Sequence, residues 1–198
     1  MSIVLFRFAG GDIVLPNRNL VLVSREDGGN LVVNPPREVW ERSELSPEEL
    51  KLWSFLVAAC GRAMIDTLPQ LEGGCINFWE AGNWALNEQA TPVGRKTAPE
   101  FRRVHLHLLG RSPNSRNPSL KWGEAPRFPD YAHRLQWAED FQRLSPIECQ
   151  RVLEQTTHLL ATKYSIPRSH VSPWISCRIC HYPTVMPTSV CDECATSD

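Results

Sequence analysis

The sequence has no excess of basic charge. Its 198 residues carry 21 Lys and Arg against 22 Asp and Glu, a formal net charge of −1 at pH 7. That balance gives no general attraction for nucleic acid or an anionic membrane surface. Long apolar runs are missing too: no uncharged stretch approaches the roughly 20 residues of a membrane helix, so no membrane partner is expected. The opening MSIVLFRFAGGD is apolar for only a few residues before Arg7. It has neither the long apolar region nor the small-residue cleavage site of a secretory leader. A cytoplasmic protein with reduced thiols is therefore expected, which argues against a disulfide framework. The length suits one domain of about 150 residues with something small attached, and the 42% apolar share is ordinary for a globular core.

What is present falls into short β-rich runs followed by amphipathic helices. Residues 3–8, 12–15, 20–25 and 30–33 read as antiparallel strands separated by GGD, PN and EDGGN turns. A helix is predicted over 46–68. Ser46 caps it, Pro47 suits its first turn, Glu49 completes a capping box, and Pro69 ends it. Leu50, Trp53, Val57, Cys60 and Met64 form its apolar face. CINFW (75–79) and RVHLHLLG (103–110) read as paired strands, and 111–128 as a long Pro-, Ser- and Asn-rich surface loop. Helices are predicted at 129–143 and 146–164, the second again opened by Ser145, Pro146 and Glu148. Residues 165–174 read as a linker, dividing a domain at 1–164 from a tail at 165–198.

The chemistry concentrates in RRVHLHLLGRS (102–112). Strand side chains alternate faces, so His105 and His107 point one way with Arg103, and Val104, Leu106 and Leu108 point the other. Two imidazoles beside a cation suit phosphate chemistry, or zinc with a third ligand from elsewhere.

The order of turn, strand, long capped helix, strand, loop and alternating-histidine strand resembles the histidine-triad nucleotide-binding superfamily of hydrolases and nucleotidyl transferases. The resemblance rests on GGNLVVNPPREVWERSELSPEEL, GGCINFWEAGNWAL and RVHLHLLGR, spanning about residues 20–112. It implies an α+β fold, an antiparallel sheet with packed helices. It also implies that His105 attacks the α-phosphorus of a nucleotide, such as a dinucleoside polyphosphate or nucleoside phosphoramidate, with no catalytic metal required. His107 would bind a non-bridging oxygen or protonate the leaving group, and a backbone carbonyl near the first triad position would orient the nucleophile. Arg103 stands where the family has its first histidine, Asn30 where it has another, and Glu80 where it has an asparagine. A guanidinium near His105 would favour the neutral imidazole and stabilise phosphate charge.

Asn30 and Glu80 are therefore candidate nucleotide contacts, with a turn and a solvated carboxylate as their alternatives; EAGNW adds Gly82, where backbone can approach a ligand, and Asn83, a polar contact or a plain turn residue. Arg95 and Lys96 in the loop before the signature could meet phosphates but read better as a solvated charge run, and Trp122, Arg127 and Phe128 could close over a base or polyphosphate but read better as packing against the helices. Members of the superfamily often pair, so a homodimer is an implied partner, although no interface is read from the residues.

The seven cysteines divide into two groups. Cys60, Cys75 and Cys149 lie among apolar neighbours and read as buried thiols. Cys177, Cys180, Cys191 and Cys194 have the form Cys-x2-Cys-x10-Cys-x2-Cys, which suits a structural Zn2+ in a small ribbon. His170 and His181 are spare donors expected outside the metal shell. The tail has no basic footprint, so protein contact or simple stabilisation competes with nucleic-acid contact as its role. Three functions remain open at this level: a nucleotide hydrolase or transferase, a non-catalytic nucleotide-binding adaptor, and removal of adenylate from nucleic-acid ends.

Overall fold

The computed structural model describes residues 2–196. The chain forms an α+β fold, with one five-stranded antiparallel sheet and helices packed against it. In chain order the elements begin with β1 (Ile3–Phe8), β2 (Gly11–Leu15) and β3 (Asn30–Asn34). Then come α1 (Pro47–Thr67), β4 (Cys75–Ala81), α2 (Ala98–Phe101) and β5 (His105–Arg111). The C-terminal part holds α3 (Arg134–Ala138), α4 (Pro146–Lys163), β6 (Ile175–Ser176), β7 (Pro183–Thr184) and α5 (Asp192–Ala195). Strand order is β1-β2-β3-β5-β4, so β5 is interior and β4 is an edge. No described helix is long and apolar enough to cross a membrane.

The capping signals work as the sequence implies. Ser46 and Ser145 each accept from the backbone of the glutamate three residues on, and each glutamate returns a bond, closing a capping box. Such caps contribute about 1 kcal/mol each. On one face of the sheet Leu31, Val33, Leu106 and Leu108 join Trp53, Leu56, Cys60 and Met64 of α1 in the main core. Gly61 of α1 brings the helix close to this face: a Cβ there would sit 3.0 Å from Phe78. Helix α4 packs on α1 and adds Cys149, Val152 and Leu153 to the same core.

Two predicted elements are corrected. Residues 20–25 do not form a strand; they run through bends between 3-10 turns at Arg18–Leu20 and Arg25–Asp27. The amides of Leu22 and Val23 donate to the Asn30 side chain at 3.1 and 3.4 Å instead of to a neighbouring strand. The helix expected at 129–143 shrinks to α3. Beyond it residues 139–140 form a turn and 141–145 carry no regular structure, and Gln142 bonds sideways, donating to Ser24 Oγ and accepting from the Arg25 amide. Cys60 and Cys149 are buried, but Cys75 is exposed at the start of edge strand β4.

Candidate active site

Strand register builds the histidine face. His107 pairs with Val32 on β3 and Trp79 on β4, and Val32 pairs with Val14, so these four side chains form one row across the sheet. His105 pairs with Ala81, one row on. The whole face lies opposite α1. The two rings meet edge to face, with centroids 5.0 Å apart.

His105 has a fixed tautomer. Its Nδ1 lies 2.9 Å from the carbonyl oxygen of Arg103, which can only accept, so Nδ1 carries the proton and the Nε2 lone pair is free to react. Burial holds its pKa below the ordinary histidine value; the Arg103 carbonyl and Glu80 oppose this, while the Arg102 guanidinium adds to it. The imidazole is thus neutral at pH 7. His107 is pushed further, down to about 3, first by burial and then by His105. Its Nδ1 is sealed without a partner, which leaves Nε2 as the atom able to address a ligand.

Gly82 protects this arrangement. Its φ of 127° turns the chain out of β4, and a Cβ there would sit 2.7 Å from the Arg103 oxygen that holds His105. An L side chain at Gly82 would press on the very carbonyl that sets the tautomer.

His105 and Arg103 border two cavities. One, of about 540 Å³, is walled by Leu20, Leu22, Trp79, Trp84, Phe101 and His107, with Gly82 and Asn83 at its edge. Its size and apolar walls suit a flat organic ligand. The other, of about 300 Å³, is polar and includes Asp12, Asn34, Arg37 and Glu38. Trp79 is stacked on Phe128 at 5.0 Å, so the 111–128 segment contributes to the aromatic wall. Arg111, 4% exposed, anchors that segment by donating to the carbonyls of Leu120, Lys121 and Glu124.

The other candidate residues are placed differently. The Arg103 side chain turns to Glu38 at 3.1 Å, so the cation acting electrostatically on His105 is Arg102, which strand parity did not single out. Arg102 is held in place by Glu41 and Glu80 at 3.0 and 3.2 Å. Glu80 pairs with Leu106 and lines the cavity of about 540 Å³, where its carboxylate is engaged by Arg42 and Arg102. Asn30, 2% exposed, holds the Leu22 and Val23 amides and does not line the cavity. Lys96 donates to the carbonyls of Asn87 and Ala90. Trp122 is 43% exposed. Trp79, Trp84 and Phe101 were missed by the sequence reading, although the WEAGNW string flanks the Gly82 turn with two of them.

No protein-family model and no curated protein matches the sequence. Among solved structures, a crystal structure of a histidine triad (HIT) protein from Sinorhizobium meliloti 1021 overlaps 78% of this chain and 89% of its own. Identity is 18% and the TM-score 0.43, an overlap too loose to carry one protein's properties onto the other.

The C-terminal cysteines do converge. The ligand atoms of Cys177, Cys180, Cys191 and Cys194 all lie within 4.8 Å of one another. A tetrahedral zinc thiolate, with Zn–S of about 2.3 Å, has S–S edges of about 3.8 Å, so the set fits a metal ion such as zinc after a small contraction. The Cys191 amide points at Cys177 Sγ at 3.4 Å, as suits a thiolate. Burial opposes ionisation of Cys177, but backbone N–H groups of Cys180, Cys191 and Ile179 outweigh it and draw the thiol down to about 6. Neither His170 nor His181 joins the four. Among the described residues this is the one cluster of metal-ligating groups, so the zinc alternative for His105 and His107 finds no third ligand.

Proposed function

We propose that the protein is a nucleotide hydrolase or nucleotidyl transferase of histidine-triad type, with residues 1–164 carrying the chemistry and 165–198 a zinc-bound tail. The observation that carries this reading is the His105 Nδ1–H donated to the Arg103 carbonyl, which leaves a neutral Nε2 lone pair at the seam between the two cavities.

In the proposed reaction the base and ribose occupy the aromatic cavity, where stacking on an indole contributes about 1–3 kcal/mol. Nε2 of His105 attacks the α-phosphorus, forming an N–P bond as the bond to the leaving group breaks and that group takes a proton from solvent. Water then attacks phosphorus, the N–P bond breaks back to neutral imidazole, and the nucleoside monophosphate departs with the water's hydroxyl. His107 is neutral at pH 7, so its task is to donate Nε2–H to a non-bridging oxygen instead of serving as a standing acid. Asn83 and Gly82 at the cavity edge are the remaining candidate contacts. Asn30 and Glu80 support the site through its walls.

A non-catalytic nucleotide-binding adaptor is the second reading. It is favoured by the Asn30 side-chain oxygen and the Glu80 carboxylate, which are engaged within the protein. Turnover of diadenosine tetraphosphate, ATP and adenosine phosphoramidate by wild type and His105→Ala decides between them. Turnover lost in the variant with nucleotide binding retained supports the enzyme. Binding without turnover in wild type supports the adaptor, and equal turnover in both proteins places the chemistry elsewhere.

A further inference from the structure

The cysteine tail touches the same segment that braces the aromatic cavity. Cys177 and Cys191 are fully buried and belong to the main core, so the tail is packed on the domain. Between the ligands Cys191 and Cys194, Glu193 grips Arg143 with two bonds of 3.2 and 2.9 Å. The Arg143 side chain is only 4% exposed and lies over the Tyr182 ring. Tyr182, two residues past Cys180, donates its hydroxyl to the Leu144 carbonyl at 2.9 Å. Residues 143 and 144 are therefore held from the metal-ligating side by two independent contacts.

The other side of this segment meets the cavity wall. Gln142 accepts from the Arg25 amide at 2.7 Å and donates to Ser24 Oγ at 3.2 Å. Leu144 packs so closely on Gly29 that a Cβ there would lie 2.4 Å from its side chain. Ser24 continues the bend that contains Leu22 and Val23, whose amides rest on Asn30. Leu22 itself lines the cavity, and its carbonyl accepts from Trp137 Nε1 at 3.2 Å. Residues 21–24, between the two 3-10 turns, carry no regular structure, so the geometry of that wall depends on neighbours. The tail is equally dependent, since among its described residues the regular structure amounts to two two-residue strands, one short helix and a three-residue 3-10 turn, and a metal would supply much of its order.

We propose that the four-cysteine metal centre sets the shape of the nucleotide cavity, with Glu193–Arg143 as the positioning pair that transmits metal occupancy to the Leu22 wall. Metal binding fixes α5, Glu193 fixes Arg143, and the 142–144 segment then holds 22–25 in the ligand-ready arrangement. Removing the metal frees that wall without touching His105 or His107. The nucleotide half of this inference rests on the function proposed above; the wall half does not.

The test uses the full chain, zinc-loaded and chelator-stripped, with two readouts. Amide exchange at Leu22 and Val23 reports the wall without any ligand, and titration with AMP reports the cavity. Stripping is expected to speed exchange at these amides and to weaken AMP at least about five-fold, the lower range of such couplings. By linkage, saturating AMP must tighten zinc by the same factor, a change that a tail serving only as a stabilising plug would not produce. Glu193→Gln, checked to bind one zinc, is expected to reproduce the faster exchange and weaker AMP binding with the metal in place. Unchanged exchange on stripping, or a zinc-loaded Glu193→Gln that matches wild type, would overturn the proposal. Faster exchange in a protein that never binds AMP would sustain the wall coupling and refute the nucleotide reading instead.

Discussion

Acid should unfold this protein partly through His107, and the size of the effect follows from where the residue sits. In the unfolded chain its imidazole titrates near the ordinary 6.5, whereas in the folded sheet it is held down to about 3 by burial and by His105. Between those values the unfolded state binds a proton that the folded state refuses. Stability therefore rises with pH across the window: it is fully present above about 6.5 and is lost progressively as pH falls toward 3. The whole effect is about 5 kcal/mol, of which about 2 kcal/mol is already gone at pH 5. His107→Gln keeps a polar side chain and removes the titration. Urea unfolding of both proteins at pH 7 and pH 5 measures the difference, and the other titrating groups cancel between them. Wild-type stability should fall by about 2 kcal/mol more than that of the variant. Parallel losses would refute the reasoning, because they would mean His107 is solvated in the folded protein.

Three further outcomes follow from the site. Gly82→Ala places a side chain at φ 127° and 2.7 Å from the Arg103 oxygen. It should cost about 1–3 kcal/mol of stability and move the His105 nitrogen chemical shifts away from the Nδ1–H tautomer; unchanged shifts would dissociate Gly82 from the orientation of His105. Arg102→Met removes a cation that lowers the His105 pKa and leaves Glu80, which raises it. An NMR titration should show the His105 pKa moving up, and a static value would mean Arg102 is screened from the ring. Protein purified without chelator should contain one zinc per chain, and stripping it should lower the melting temperature. A metal-free preparation with the same melting temperature would remove the structural role of the cysteine centre.

Much of this architecture can be read from local rules. Strand parity alone put His105 and His107 on one face, because period-two geometry does not depend on context. Ser46 and Ser145 announced α1 and α4 through bonds made within four residues, and the Cys-x2-Cys pairs announced their convergence through spacing. The errors share a different cause. VLVS at 21–24 has strand composition, yet the Asn30 side chain captures the amides of Leu22 and Val23. The 129–143 segment has helical composition, yet Ser24 and Arg25, more than 100 residues earlier, take the Gln142 backbone. Arg103 had the right parity to flank His105, but Glu38 holds its guanidinium. Arg102 takes the electrostatic role because Glu41 and Glu80 position it from other elements. Tertiary partners of this kind leave no local pattern. The aromatic wall was partly legible, since Trp79 shares the parity of its partner His107, but Phe128 reaches it across the fold.

The central claim is that His105 Nε2 is a nucleophile, and trapping its covalent product tests it most directly. Wild type and His105→Ala would be mixed with adenosine phosphoramidate or diadenosine tetraphosphate. Samples would be quenched in alkali at short times, because a phosphorus–nitrogen bond to imidazole is labile in acid, and then weighed intact. The account predicts an adenylyl-sized mass gain in wild type, mapped to His105, that appears before product and is missing from the variant. Turnover with no adduct at any time, or an adduct that persists in His105→Ala, would contradict it.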